Sequence, residues 1–220
     1  PVRVRPERSW GSNGGRGADP QAQNFALTEP RQLTGVRFHV CKVGNPGNAI
    51  LINQVTTDNG IPTTDVLAEA LVPMSGGNAL GWREAKYSFP VLTGDEQSHA
   101  VVIKSDDNEH SISIAALGGF DESLQQKITV HPYPVGPRSS SVNAESWTFH
   151  QSEALTFELV AAWYRYTQKT VQLGSFNLVD CSDLQVRAAI ELPSPECKIV
   201  FEIERPNGTI YQLLPYQVSS

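Results

Sequence analysis

Wherever the apolar residues of this chain recur with a period, the period is two. Val36, Phe38 and Val40 alternate with Arg37, His39 and Cys41, and Leu155, Phe157, Leu159, Ala161 and Trp163 with Thr156, Glu158 and Ala162. Leu184, Val186, Ala188, Ile190 and Leu192 stand against Gln185, Arg187 and Glu191 in the same way. Successive side chains of a strand point to opposite faces, so each run predicts a strand with one buried face and one wet one. Residues 63–71 alone could pass for helical, but Pro73 leaves them only about two turns, and they read as a strand or one short turn. The fold class is all-β.

The stretch 92–117 organises the rest. Two β-type runs flank Ser105, Asp106, Asp107 and Asn108, which reads as a hairpin with its turn. The first run is apolar on both faces at Ala100, Val101, Val102 and Ile103, as in a strand between two layers. In the second, Ile112, Ile114 and Ala116 should be buried and Ser111 and Ser113 wet. Elsewhere Asn59-Gly60 predicts a tight turn, and Ala85, Tyr87 and Phe89 are expected to point inward. Leu155 to Trp163 should form one long closing strand.

Composition bounds the rest. The 220 residues suffice for one large core or two modest ones. A net charge of −6 argues against a nucleic-acid partner, which needs an excess of Lys and Arg on one face. No run reaches the roughly 18 apolar residues of a membrane span. The chain begins at Pro1 without an initiator Met, and a fragment of something longer is expected. Cys41, Cys181 and Cys197 are too few and too odd in number for a disulfide framework, and no Cys-x-x-Cys zinc pattern occurs. They read as buried free thiols in a reducing compartment, with a Cys181–Cys197 pair as the alternative. Residues 1–18 carry Arg3, Arg5, Arg8 and Arg16 in a Gly-rich context and read as a flexible linker or as an arm docked on a neighbouring subunit. Residues 19–165 form the expected sandwich. Residues 166–220 hold four further strands, at 171–179, 184–192, 198–204 and 209–214, with a thin core.

Few constellations carry chemistry. Asp106, Asp107 and Glu109 crowd one turn expected to reach solvent. They could be an acidic interface patch, or a Ca²⁺ site if the Asp121-Glu122 loop converged on it, but Ca²⁺ wants six to eight oxygens and the turn supplies fewer; no metal, cofactor or catalytic residue is assigned. Trp10, Trp82, Tyr133 and Trp147 are read in irregular segments, where exposed aromatics can stack on sugar rings or fold back over the core. Trp82, Tyr133 and Trp147 are the candidate ligand-binding residues.

Asp19-Pro20-Gln21-Ala22-Gln23-Asn24-Phe25 resembles the opening strand of a jelly-roll module of bacteriophage tail-fibre and baseplate proteins. The resemblance continues through Leu33-Thr34-Gly35-Val36, Asn59-Gly60-Ile61-Pro62-Thr63, Ala100-Val101-Val102-Ile103 with Ser105-Asp106-Asp107, Ser141 to Thr148, and Leu155 to Leu159. It covers about residues 19–164 and departs at Asn24, usually Thr, and at His99, usually Tyr. It implies a jelly-roll-like β-sandwich, followed here by a second small β domain. It also implies a structural, non-enzymatic virion protein of a phage tail tip, baseplate or fibre, assembled in the host cytoplasm. Its partners would be other phage tail proteins and further copies of itself, a trimer being one form. A carbohydrate-binding module that takes a host surface glycan is the second reading. A glycan-acting hydrolase is the third, with no motif to support it.

Overall fold

The computed structural model describes residues 19–76, 80–94, 97–121, 125–130, 136–164, 168–177, 179–180, 185–186 and 197–213, and none of these is helical. The chain divides into two units, Pro1–Tyr164 and Arg165–Ser220. The strands of the first unit, in order, are β1 (Gln21–Ala26), β2 (Arg31–Lys42), β3 (Ile50–Asp58), β4 (Ile61–Val72), β5 (Gly81–Thr93), β6 (Ser98–Ser105) and β7 (Ser111–Ile112). There follow β8 (Ile114–Ala116), β9 (Phe120–Asp121), β10 (Gln126–Lys127), β11 (Arg138–Ser141), β12 (Trp147–His150), β13 (Glu153–Leu155) and β14 (Phe157–Ala161). The second unit contains a hairpin of β15 (Phe201–Glu204) and β16 (Ile210–Leu213).

Six strands form a large antiparallel sheet in the order β12-β11-β1-β6-β3-β4. A smaller sheet runs β14-β2-β5, with β7 also paired to β2. Between β1 and β7 the chain changes sheet at almost every connection. The inner faces share one core: Phe25, Ile50, Ile52, Val101 and Ile103 from the large sheet meet Val36, Phe38, Val40, Ala85 and Phe157 from the small one. This is a β-sandwich. The alternation in β2 places Val36, Phe38 and Val40 in that core as expected, and β6 is buried on both faces at Ala100, Val101, Val102 and Ile103. Residues 63–71 lie within strand β4. Asn59 and Gly60 have φ of 49° and 79°, the left-handed pair that a two-residue hairpin turn between β3 and β4 requires.

Other expectations fail for identifiable reasons. Residues 92–117 are not a hairpin: β6 pairs with β1 and β3 in the large sheet, while β7 pairs with β2 in the small one. The turn at residues 106–110 therefore carries the chain across the sandwich. Ser111 and Ser113 are buried, not wet. Phe89 is 57% exposed. Lys86 pairs with Gly35 and Val91 with Leu33, so residues 87–90, ending at Pro90, bulge opposite Thr34 and push Phe89 outward. The closing strand is two strands broken at Thr156, with β13 paired to β8 and β14 to β2. Its inward series ends early: Leu155 and Phe157 are buried, Leu159 packs partly against the core, and Trp163 is 81% exposed.

In the second unit the Pro206-Asn207-Gly208 turn joins the last two expected strands, here β15 and β16. Residues 171–177 are not strand, and most of 184–192 lies outside the described residues.

Phe157 is the test of this core. It lies opposite Phe38 across the β14–β2 pair, and both belong to the shared cluster. Phe157→Ala should cost about 3–5 kcal/mol, a large share of a domain's usual stability, read as a drop in the urea midpoint. A midpoint like that of the wild type would mean that β14 does not close the sandwich.

Candidate functional site

The wet face of β2 carries Arg37, His39 and Cys41, because their even-numbered neighbours Val36, Phe38 and Val40 face the core. Strand pairing sets what lies beside them. His39 is opposite Trp82 on β5, and Arg37 is opposite Glu84 on β5 and Glu158 on β14. The Arg37 guanidinium pairs with Glu158 and lies 5.3 Å from the centre of the Trp82 ring, an electrostatically favourable placement of a cation on an indole face. The His39 ring meets Trp82 edge-on at 5.6 Å.

On its other side His39 faces a fork. At this point β8 and β13 peel away together, and three strands exchange one backbone bond each. His39 N donates to Thr156 O, Thr156 N to Ser113 O, and Ser113 N to His39 O, at 3.3, 2.9 and 2.9 Å. The fork buries Ser113 to 3% exposure and aims its hydroxyl at β2. Ser113 Oγ is 2.7 Å from His39 Nδ1 and 2.7 Å from Cys41 Sγ, and the thiol is 3.8 Å from the same Nδ1. Burial lowers the His39 pKa from its usual value, which favours the neutral ring. An imidazole, a half-buried thiol and a hydroxyl thus converge at one end of a face otherwise lined with charged pairs. The alternation in β2 places His39 and Cys41 on this face without marking them out from Arg37. Ser113 is more than seventy residues away and was expected to be wet; the His-x-Cys alternation on a polar strand face was the available signal.

The candidate ligand-binding residues do not form one site. Trp82 lies in β5 and Trp147 in β12, both in strands rather than loops and in different sheets. Trp147 packs on Ala22, Val55, Ala100 and Val102, a second small cluster of the large sheet. Tyr133 lies outside the described residues, as do Trp10, Arg3, Arg5, Arg8, Arg16, Glu122 and Cys181. Cys41 and Cys197 are free thiols and only half-buried.

The acidic turn is not the solvent-facing patch expected. Asp106 and Glu109 are exposed, and Glu109 pairs with Lys42 at 3.0 Å. Asp107 is buried. Its carboxylate accepts backbone N–H bonds from Glu109 at 2.7 Å, His110 at 3.2 Å and Asn45. The fully buried His110 ring accepts from Gly44 N and donates from Nε2 to Asn48 O, both at 3.0 Å. Asp107 and His110 together fasten the loop at 44–48 to the crossing between the sheets. A Cβ on Gly44 would come within 2.4 Å of the Asp107 carboxylate, so the clamp closes only over glycine. Among the described residues no group of three or more His, Cys, Asp or Glu could hold a metal ion within this chain. Nor is any helix among them long and apolar enough to cross a membrane.

Comparisons with protein-family models, with curated proteins and with solved structures return no match.

The Asp107 clamp has a pH signature. Burial alone raises the pKa of this carboxyl, but the N–H bonds from Asn45 and Glu109, the adjacent His110 ring and the His110 N–H outweigh it, and the net shift is downward. A depressed folded pKa gives stability that is present above the unfolded value, about 3.9, and is lost as pH falls through the folded value. Asp107→Ala should cost about 1.5–3 kcal/mol at neutral pH, the range for hydrogen bonds to a charged group. The deficit should shrink as the pH is lowered below about 4. A pH-independent deficit in urea melts would show that the charge of Asp107 contributes nothing.

Proposed function

We propose that this chain is a structural, non-enzymatic β-sandwich protein of a bacteriophage tail tip, baseplate or tail fibre, acting through subunit interfaces. The observation that supports the reading is where the segments resembling such modules lie. The Asp19–Phe25 segment enters and forms most of β1, with β6 at Ala100–Ile103 on one side and β11 on the other. Asn24 on β1 donates to Gly60 O in the Asn59-Gly60 turn, and Gln23 Oε1 accepts from Leu155 N. Segments scattered over more than a hundred residues of sequence are therefore one connected piece, as expected if they are the signature of a module rather than chance matches.

The wet face of β2 and β5 favours a second reading beside the first, a glycan-recognition face used in host attachment. Trp82 stands there among Arg37, His39, Glu84 and Glu158, an aromatic ring surrounded by groups that can bond hydroxyls. Arg37 already covers the indole, so a sugar ring would have to displace it or use the other face.

Mass spectrometry of purified phage particles whose genome encodes the chain tests the first reading. The chain should be present at a fixed stoichiometry with other tail proteins, and antibody against it should decorate the tail. Particles that lack it would overturn the reading. A glycan array tests the second: saturable binding lost in Trp82→Ala supports it, and an array blank with the intact chain removes it.

A further inference from the structure

The pleat that turns Val101 and Ile103 of β6 into the shared core turns His99 the same way. The His99 side chain is 4% exposed and stands opposite Phe25 of β1 and Thr56 of β3, with its ring stacked on the Phe25 ring at 5.9 Å. Neither ring nitrogen has a hydrogen-bond partner, and both are closed to water. A neutral imidazole leaves one N–H bare in such a place; an imidazolium would leave two, together with a full charge. Nothing beside the ring answers that charge. Thr56, opposite it on β3, and Gln54, the next inward residue, are neutral. Tyr87 of β5, in the same core, is held protonated by burial. Arg31 of β2 is exposed and pairs with Glu29, and Asp58 is exposed at the end of β3. Asp95 and Glu96, just ahead of β6, lie outside the described residues.

Burial lowers the His99 pKa from its ordinary value. The folded value lies below the unfolded one, about 6.5, so a chain that has opened at this point takes up the proton first. Stability is therefore complete above about pH 6.5 and falls as the pH drops below it. The fold sets which part opens. His99 and Ser98 make the last two pairs of β6 with β1, at Phe25 and Ala26, and the ends of a ladder open more readily than its middle. The preceding residue of β1, Asn24, donates to Gly60 O in the β3–β4 turn, so the turn is fastened to the same end. We propose that His99 is an acid-sensitive latch at this end of the sandwich: once protonated, its ring leaves the core for water and the Phe25–His99 and Ala26–Ser98 pairs part. Opening gives the imidazolium the hydration and hydrogen bonds that the core withholds. The latch depends on neither reading of function given above.

Hydrogen exchange of the full chain at about pH 7.5 and about pH 5.5, corrected for the intrinsic pH dependence of exchange, is the test, with the His99 ring followed by its NMR signals. In the wild type, those amides of residues 24–26 and 98–100 that are protected at the higher pH should lose about tenfold in protection at the lower. That is the effect of one proton taken up about one pH unit below the unfolded pKa. The loss should be absent in His99→Phe, which keeps an aromatic ring against Phe25 and cannot titrate. In the folded wild type the ring signals should remain those of neutral imidazole at the lower pH. Ring signals that titrate near pH 6.5 in the folded chain would overturn the proposal, and that result needs no variant to fold. So would wild-type protection that is equal at both pH values, or a loss of the same size in His99→Phe.

Discussion

The first unit depends on the buried side-chain amides of one strand. β1 sits inside the large sheet, between β6 and β11, and Gln21, Gln23 and Asn24 are all buried there. Each amide holds a different part of the chain. Gln23 Oε1 accepts from Leu155 N at 2.9 Å and its Nε2 donates to Gly136 O at 3.0 Å. Asn24 Nδ2 donates to Gly60 O at the β3–β4 turn. Gln21 Oε1 accepts from Arg138, whose guanidinium also grips Glu153 through two nitrogens. Backbone groups that lose water at bends and strand ends must find partners, and each one left bare costs about 1–3 kcal/mol. A purely apolar β1 would fill the same volume and leave Leu155 N and the two loop carbonyls unpaired. The Arg138–Glu153 pair adds little net stability, but loss of Glu153 would leave the buried Arg138 guanidinium short of its counter-charge, at a cost of up to about 3 kcal/mol.

The same amides explain how much of the fold was legible. Period-two alternation reads one property, which face of a strand is wet, and it is right where a strand runs regularly and its wet face is solvated, as over residues 36–40 of β2. It could not tell which strand pairs with which, since a run of turn residues at 105–108 looks the same in a hairpin as in a crossing between sheets. It failed at Phe89 because a bulge ending in Pro90 breaks the pleat, and at Ser113 because a buried hydroxyl and backbone can be satisfied by a fork that no local pattern announces. Asn59-Gly60 was legible because the turn demands left-handed backbone that few other residue pairs adopt. Asp107 was read correctly as a turn former and wrongly as solvent-facing, because the loop that covers it comes from sixty residues earlier.

The chemistry of the first unit follows from which faces the alternation leaves outside. The inner faces are committed to the shared core, and one face of the small sheet is left to present Arg37, His39, Cys41, Trp82, Glu84 and Glu158. These side chains are held by paired strand backbone rather than by a loop, so their spacing is set by strand geometry. On that face the charges are interleaved, the aromatic ring is braced by a guanidinium, and the thiol and imidazole lie 3.8 Å apart. His99, buried and stacked on Phe25 at 5.9 Å with neither ring nitrogen bonded, shows the contrast. It serves as one more aromatic ring packed on Phe25.

If the amides of β1 hold the first unit together, Gln23 is their most connected member, and hydrogen exchange in Gln23→Leu measures this directly. The Leu155 N–H should lose its protection while amides along the β1–β6 ladder keep theirs until global unfolding, and overall stability should fall by about 1–3 kcal/mol for each polar group left bare. A Gln23→Leu protein as stable as the wild type, with Leu155 N–H still protected, would contradict the account.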